Sequence, residues 1–163
     1  MLGGPGLWVE VPRERSAEAK EKLLGAGAVD ASAEDALTVR AENRRPEFDV
    51  DYFDSNIPHE TQQLHLISFT KGCYTGQEIV ERVRSQGRVN RLLTPIEADL
   101  DTVPAEKDVL LDGRVVGQAT SLAVSPRTGK LAGFAVLRRE ATEPDATISI
   151  GGRPARTLDW PKS

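Results

Sequence analysis

The chain has 163 residues, enough for one large domain or two small ones, and on folding can bury roughly 70% of its unfolded surface. With 21 basic and 25 acidic side chains its net charge is −4, which excludes whole-molecule attraction to nucleic acid or an anionic membrane. One cysteine closes no internal disulfide, no apolar run approaches the ~18 residues of a membrane span, and Met1 to Gly6 form no basic or apolar leader; a soluble, cytoplasmic protein is expected.

In chain order, Leu7 to Val11 alternates apolar and polar residues and predicts a short strand closed by Pro12. Ser16 is placed to cap a helix carrying Ala17, Ala19, Leu23 and Leu24, which Gly25 and Gly27 end. Ser32-x-x-Asp35 is a capping box and predicts a second helix through Ala36 and Val39 to about Asn43. Arg44 to Phe69 has no strong periodicity. Its Pro46, Asp49, Asp51, Asp54, Asn56 and Pro58 predict a long ordered loop, a form that is often functional.

Lys71-Gly72-Cys73-Tyr74-Thr75-Gly76-Gln77-Glu78 is the most informative segment. Thr75 and Glu78 have capping-box spacing, and Ile79, Val80 and Val83 then form an apolar stripe at helical spacing. This puts Cys73 just before a helix N-terminus, two residues from Lys71. Both features stabilise a thiolate, the reactive form of the side chain. The plain alternative is a small buried hydrophobe.

Beyond residue 90 the pattern becomes short strands: Arg91 to Ile96, Val109 to Leu111, Val115 to Val116, Ala119 to Val124, Leu131 to Leu137, Thr147 to Ile150 and Arg153 to Leu158. Asp112-Gly113 and Gly151-Gly152 are hairpin turns, and Ser125 to Gly129 is a longer one. The spacing predicts a small closed barrel. The fold class is therefore α+β, divided into an α+β segment at 1–90 and a β-barrel at 91–163.

The eight-residue segment, with Gly87-Arg88-Val89-Asn90-Arg91 after it and Asn56 to Thr61 and Ile67 to Thr70 before it, resembles the signature of YgfZ-type folate-binding proteins, relatives of the glycine cleavage aminomethyltransferase. The resemblance implies a partial ferredoxin-like folate-binding segment followed by a C-terminal barrel. It also implies a tetrahydrofolate-binding factor that supports assembly or repair of iron–sulfur enzymes, especially those with [4Fe–4S] clusters. In that reading Cys73 is the reactive residue. Lys71, Gly72, Tyr74, Gly76, Gln77, Glu78, Glu42 and Arg88 bind the cofactor. Around Glu42, Asn43-Arg44 replaces the family's Ala-Gly. The family is longer than this chain, so the resemblance covers its C-terminal half and implies that another chain, or further sequence, supplies the rest.

Two other readings stand beside it. One is the C-terminal part of a folate-dependent aminomethyltransferase, although those enzymes carry an aspartate where Cys73 stands. The other is a folate- or client-binding module without thiol chemistry. Arg82, Arg84, Arg88 and Arg91 form a basic run that suits the glutamate tail of folate, RNA phosphates, or simply a solvated face shared with Glu78 and Glu81. Partners are expected to be iron–sulfur client enzymes, with no membrane and no nucleic acid. No metal site is expected: His59 and His65 are six apart, and one cysteine cannot hold a cluster within one chain.

Overall fold

Two dipeptides place both of their residues at positive φ: Asp112 (51°) with Gly113 (76°), and Gly151 (55°) with Gly152 (73°). That backbone is what a two-residue hairpin of matching twist requires, and both predicted hairpins form there. The computed structural model describes residues 6, 7, 9–87 and 89–161, without the Gln86 side chain. Among these, β1 (Arg91–Ala98), β2 (Asp108–Leu111), β3 (Arg114–Val124), β4 (Leu131–Arg138), β5 (Ile148–Ile150) and β6 (Arg153–Thr157) form an antiparallel sheet. The order β1-β4-β3-β2-β5-β6 closes into a barrel because β6 returns to pair with Ile96 to Ala98 of β1.

The barrel interior is filled by Ile96, Val109, Leu131, Leu137, Ile148 and Ile150, each at most 1% exposed. Phe134 stacks on Trp160 at 6.0 Å, so the segment after β6 seals one side of the core. Strand β3 is longer than its partners and absorbs the surplus with two bulges. Ala119 faces Ala135 but Leu122 faces Gly133, so one extra β3 residue is accommodated between them. A second irregularity separates Val109↔Gly117 from Leu110↔Val115. Bulges bend a strand and re-aim its side chains.

The segment before the barrel contributes α1 (Ser16–Gly25), α2 (Ala33–Glu42), α3 (Pro58–Thr61) and α4 (Gln77–Gln86). Helix α1 buries none of its residues, and Leu23 and Leu24 are 48% and 42% exposed. Helix α2 packs on β3 and β4, while α3 packs on β1 and α4. The expected loop between Arg44 and Phe69 therefore contains α3 and a 3-10 turn at Leu64–Leu66.

Three local expectations are corrected. Leu7 and Val9 to Val11 lie outside any strand and are exposed; alternation alone cannot hold a strand without a ladder partner, and Trp8 lies outside the described residues. Ser16 is the first residue of α1 rather than its cap, and its hydroxyl donates to the Arg13 carbonyl. Thr75 and Glu78 make no capping box: Gly76, at φ +87°, is the N-cap of α4 and its carbonyl accepts from Ile79 and Val80.

The Ser32–Asp35 box forms as predicted. The Asp35 amide donates to Ser32 Oγ at 3.0 Å, and Asp35 Oδ2 accepts from the Ser32 hydroxyl and amide, both at 2.7 Å. The Ser32 hydroxyl first, then its amide, lowers the Asp35 pKa. A lowered folded-state pKa means the stabilisation is complete above the unfolded-state value and is lost as pH falls through the folded one. Ser32→Ala is expected to destabilise α2 by ~1 kcal/mol at neutral pH. In thermal melts the gap from wild type should narrow as Asp35 is protonated.

Candidate functional site

The motif lies on an exposed turn. Lys71, Gly72 and Cys73 are solvent-facing, Tyr74 is half-buried, and α4 starts at Gln77. Ser68 Oγ accepts from the Lys71 amide at 3.2 Å, and the Tyr74 carbonyl accepts from the Gln77 amide at 3.2 Å. Lys71 Nζ lies 4.6 Å from the Tyr74 ring centroid, so its charge rests on the aromatic face on the far side of Cys73 in sequence. The Tyr74 hydroxyl is buried with no partner among the described residues.

The two motif glycines differ. Gly76 needs its positive φ to turn the chain into α4. Gly72 has no positive φ, and a Cβ built on it meets nothing within 4 Å. Among the described residues nothing in the packing requires a glycine at 72, and the space beside it is open. Cys73 is a free, exposed thiol. Glu78 extends into solvent and pairs with Arg82 at 2.6 Å.

The structure does not bring Glu42 to this turn. It ends α2 against the barrel, where Ser125 Oγ donates to Oε1 and Arg127 Nε lies 3.8 Å from Oε2. Arg88 lies outside the described residues. Beside Glu42, Arg40 and Asp51 form a buried pair at 3.2 Å, and Arg40 also reaches Glu47 at 3.0 Å. Asp51 accepts from the Glu47 amide at 2.8 Å and from the hydroxyl of Thr120 at the β3 bulge. These contacts fasten the segment around α2 to the barrel.

Behind the motif helix is a cavity of about 450 Å³ between α3, α4 and β1, lined in part by His59, Gln62, Phe69, Val83, Arg84 and Arg139. Arg84 lies over the Phe69 ring at 4.5 Å and pairs with Glu81 at 3.5 Å. Gln62 Nε2 donates to the Leu93 carbonyl of β1 at 2.9 Å. His59 Nδ1 is buried and has no partner among the described residues. No sequence signal joins His59, Phe69 and Arg139. Residues separated by eighty positions leave no periodic signal that joins them. Among the described residues no group of three His, Cys, Asp or Glu side chains could hold a metal ion, and no helix is long and apolar enough to cross a membrane.

Residues 91–159 match the glycine cleavage T-protein C-terminal barrel domain. The tRNA-modifying protein YgfZ of Yersinia pestis (strain Pestoides F) is 37% identical over 94 residues, which are 56% of this chain and 28% of that protein. That of Serratia proteamaculans (strain 568) is 42% identical over 78 residues, 46% of this chain and 24% of the relative. The chain thus spans under a third of the length of these relatives. The glycine cleavage system aminomethyltransferase T from Bartonella henselae superposes with a TM-score of 0.78 at 15% identity, covering 91% of this chain and 43% of the other. At that identity the likeness is one of fold. Residues 91–159 thus carry a T-protein-type C-terminal barrel domain, and part of the chain is similar to part of the YgfZ proteins.

Proposed function

We propose that this chain is part of a cytoplasmic, tetrahydrofolate-binding factor that supports assembly or repair of iron–sulfur enzymes, with Cys73 as its reactive group. The observation that carries the reading is the placement of the sole thiol: exposed, on the turn before α4, between Gly72 and Tyr74. A cysteine serving only to fill the core would be buried there. An exposed thiol on an open turn can reach a client protein, as a thiolate nucleophile or as a transient sulfur or metal ligand.

The cavity behind α4 suits the chemistry of a folate. Its volume falls within the roughly 300–1,000 Å³ typical of small-molecule sites. The buried His59 Nδ1, without a partner among the described residues, and the Gln62 amide suit a polar heterocycle, the Phe69 ring a flat face, and Arg84 the carboxylates of a glutamate tail. When bound, the folate would supply one-carbon carrier chemistry. The chain's own part is to hold it behind the motif helix and to present Cys73 at the surface. Lys71, Tyr74, Gly76, Gln77 and Glu78 would shape that surface; none of them lines the cavity. Further polypeptide packing on exposed α1, from the same chain or another, agrees with the partial coverage of the T-protein fold.

Cells carrying Cys73→Ala at the native locus should lose [4Fe–4S] enzyme activity to the level of a deletion, with the protein level unchanged. Wild-type activity in the mutant alongside a defective deletion would leave the folate-binding module as the better reading. Wild-type activity in both would remove the iron–sulfur role.

A further inference from the structure

Strands β1 and β4 pair Arg91 directly with Arg138. Directly opposed residues in an antiparallel pair have Cα atoms only about 4.5–5.5 Å apart, and like charges in that position destabilise the sheet. Arg139 follows immediately, and its amide donates to the Asn90 carbonyl at 3.0 Å, which holds the three arginines at one end of the barrel. All three are exposed. Among the described residues, no carboxylate lies within ion-pair distance of any of them. Glu140 borders the cluster without pairing with it.

Two surface grooves meet at this pair. One, of about 420 Å³, is lined by Asn90, Arg139 and Glu140 as well as Arg91 and Arg138. The other, of about 440 Å³, runs from the same two arginines along β3 past Thr120 to Gln118, whose amide donates to the Asp108 carboxylate at the far end at 3.4 Å. A fold carrying net charge −4 has no electrostatic need for three unneutralised cations at one point. A bound anion would relieve their repulsion.

We propose that these grooves form a binding track for a single-stranded polynucleotide, with Arg91, Arg138 and Arg139 on successive phosphates. Arginine binds phosphate in a bidentate fashion. An isolated phosphate would occupy one groove, whereas a pair shared by two grooves fits an extended polyanion. Asn90 offers an amide, and Thr120 and Gln118 further polar groups along the second groove, for sugar and base edges, which an acidic peptide would not use. The net charge that argued against nucleic acid averages over the whole surface; the barrel end is locally cationic. This track lies beyond the folate and iron–sulfur reading, and Arg91 and Arg138 do not line the folate cavity.

The test is fluorescence anisotropy of the intact chain with a labelled single-stranded RNA and with DNA of the same sequence. Three neutralised phosphates give a slope of log K against log salt of about −2 between roughly 50 and 200 mM, and the Arg91→Ala/Arg138→Ala double variant should reduce it to about −0.7. The variant's affinity should fall at least tenfold for whichever strand type binds, while its Tm stays at or above wild type because a repulsive pair has been removed. RNA binding without DNA binding would assign the track to contacts at the 2′-hydroxyl, and equal binding to the phosphates alone. Absence of binding by either strand, unchanged affinity in the variant, or equal competition by poly-glutamate would overturn the proposal. Retention of the Cys73-dependent phenotype by the double variant separates this result from the function proposed above.

Discussion

Gly133→Ala is expected to destabilise the barrel by at least ~3 kcal/mol, the upper end of overpacking costs. A Cβ on Gly133 would stand 1.9 Å from the Ser121 carbonyl oxygen and 2.9 Å from its carbon, and both are backbone atoms. No rotamer change relieves such a clash. Gly133 sits mid-way along β4, paired with Ile96 of β1 on one side and Leu122 of β3 on the other, so the strand cannot retreat. The β3 bulge turns the Ser121 carbonyl toward it. For a chain of this size the loss corresponds to a Tm drop of roughly 6–12 °C. Gly72→Ala is the matched control: its Cβ meets nothing, and Tm should stay within about 2 °C of wild type. If Gly133→Ala melts with the wild type, the bulge is not where the structure puts it. If Gly72→Ala stays folded yet fails in cells as Cys73→Ala does, the open space at Gly72 is used by a ligand or client.

Arg40→Ala carries the second large effect, about 3–5 kcal/mol. The Asp51 side chain is 0% exposed, and among the described residues Arg40 is the one cation paired with it. Removing the guanidinium leaves a buried carboxylate with the Glu47 amide and the Thr120 hydroxyl as its remaining donors. Replacing both charges, as Arg40→Met with Asp51→Leu, should cost clearly less than Arg40→Met alone, because no uncompensated charge remains. Thr120→Val removes one neutral donor and should cost about 1 kcal/mol. Urea unfolding at constant m measures all three. Equal losses for Arg40→Met and the double variant would show that Arg40 acts through packing and not charge. Since the pair joins the loop after α2 to β3, its loss should also speed amide exchange in α2 more than in β4.

These residues also show what could be read from the chain in advance. The hairpins at Asp112-Gly113 and Gly151-Gly152 and the helix opened by Ser32-x-x-Asp35 were legible because each is decided by neighbours within four positions. All the predicted strands beyond residue 90 formed for the same reason, although Val115 to Val116 and Ala119 to Val124 proved to be one continuous β3. The Thr75-x-x-Glu78 spacing was just as local and misled, because Gly76 could take a left-handed backbone that moved the start of α4 to Gln77. Leu7 to Val11 had the alternation of a strand but no described partner to pair with. The helix after the motif could be anticipated; the exposure of its turn and the residues that line the cavity behind it could not. His59, Phe69 and Arg139 meet only across the helix–barrel junction, and Glu42 meets Ser125 across a separation of 83 residues.

The sequence by itself determined the turns, the capped helix, the barrel class and the presence of a single thiol, since short-range sterics and composition decide each of them. Tertiary structure alone decided that β6 closes the barrel on β1, that a bulge aims Thr120 at Asp51, and that Arg91 faces Arg138. Pairing register and side-chain meetings across the core depend on where distant segments come to rest, and no local pattern encodes that.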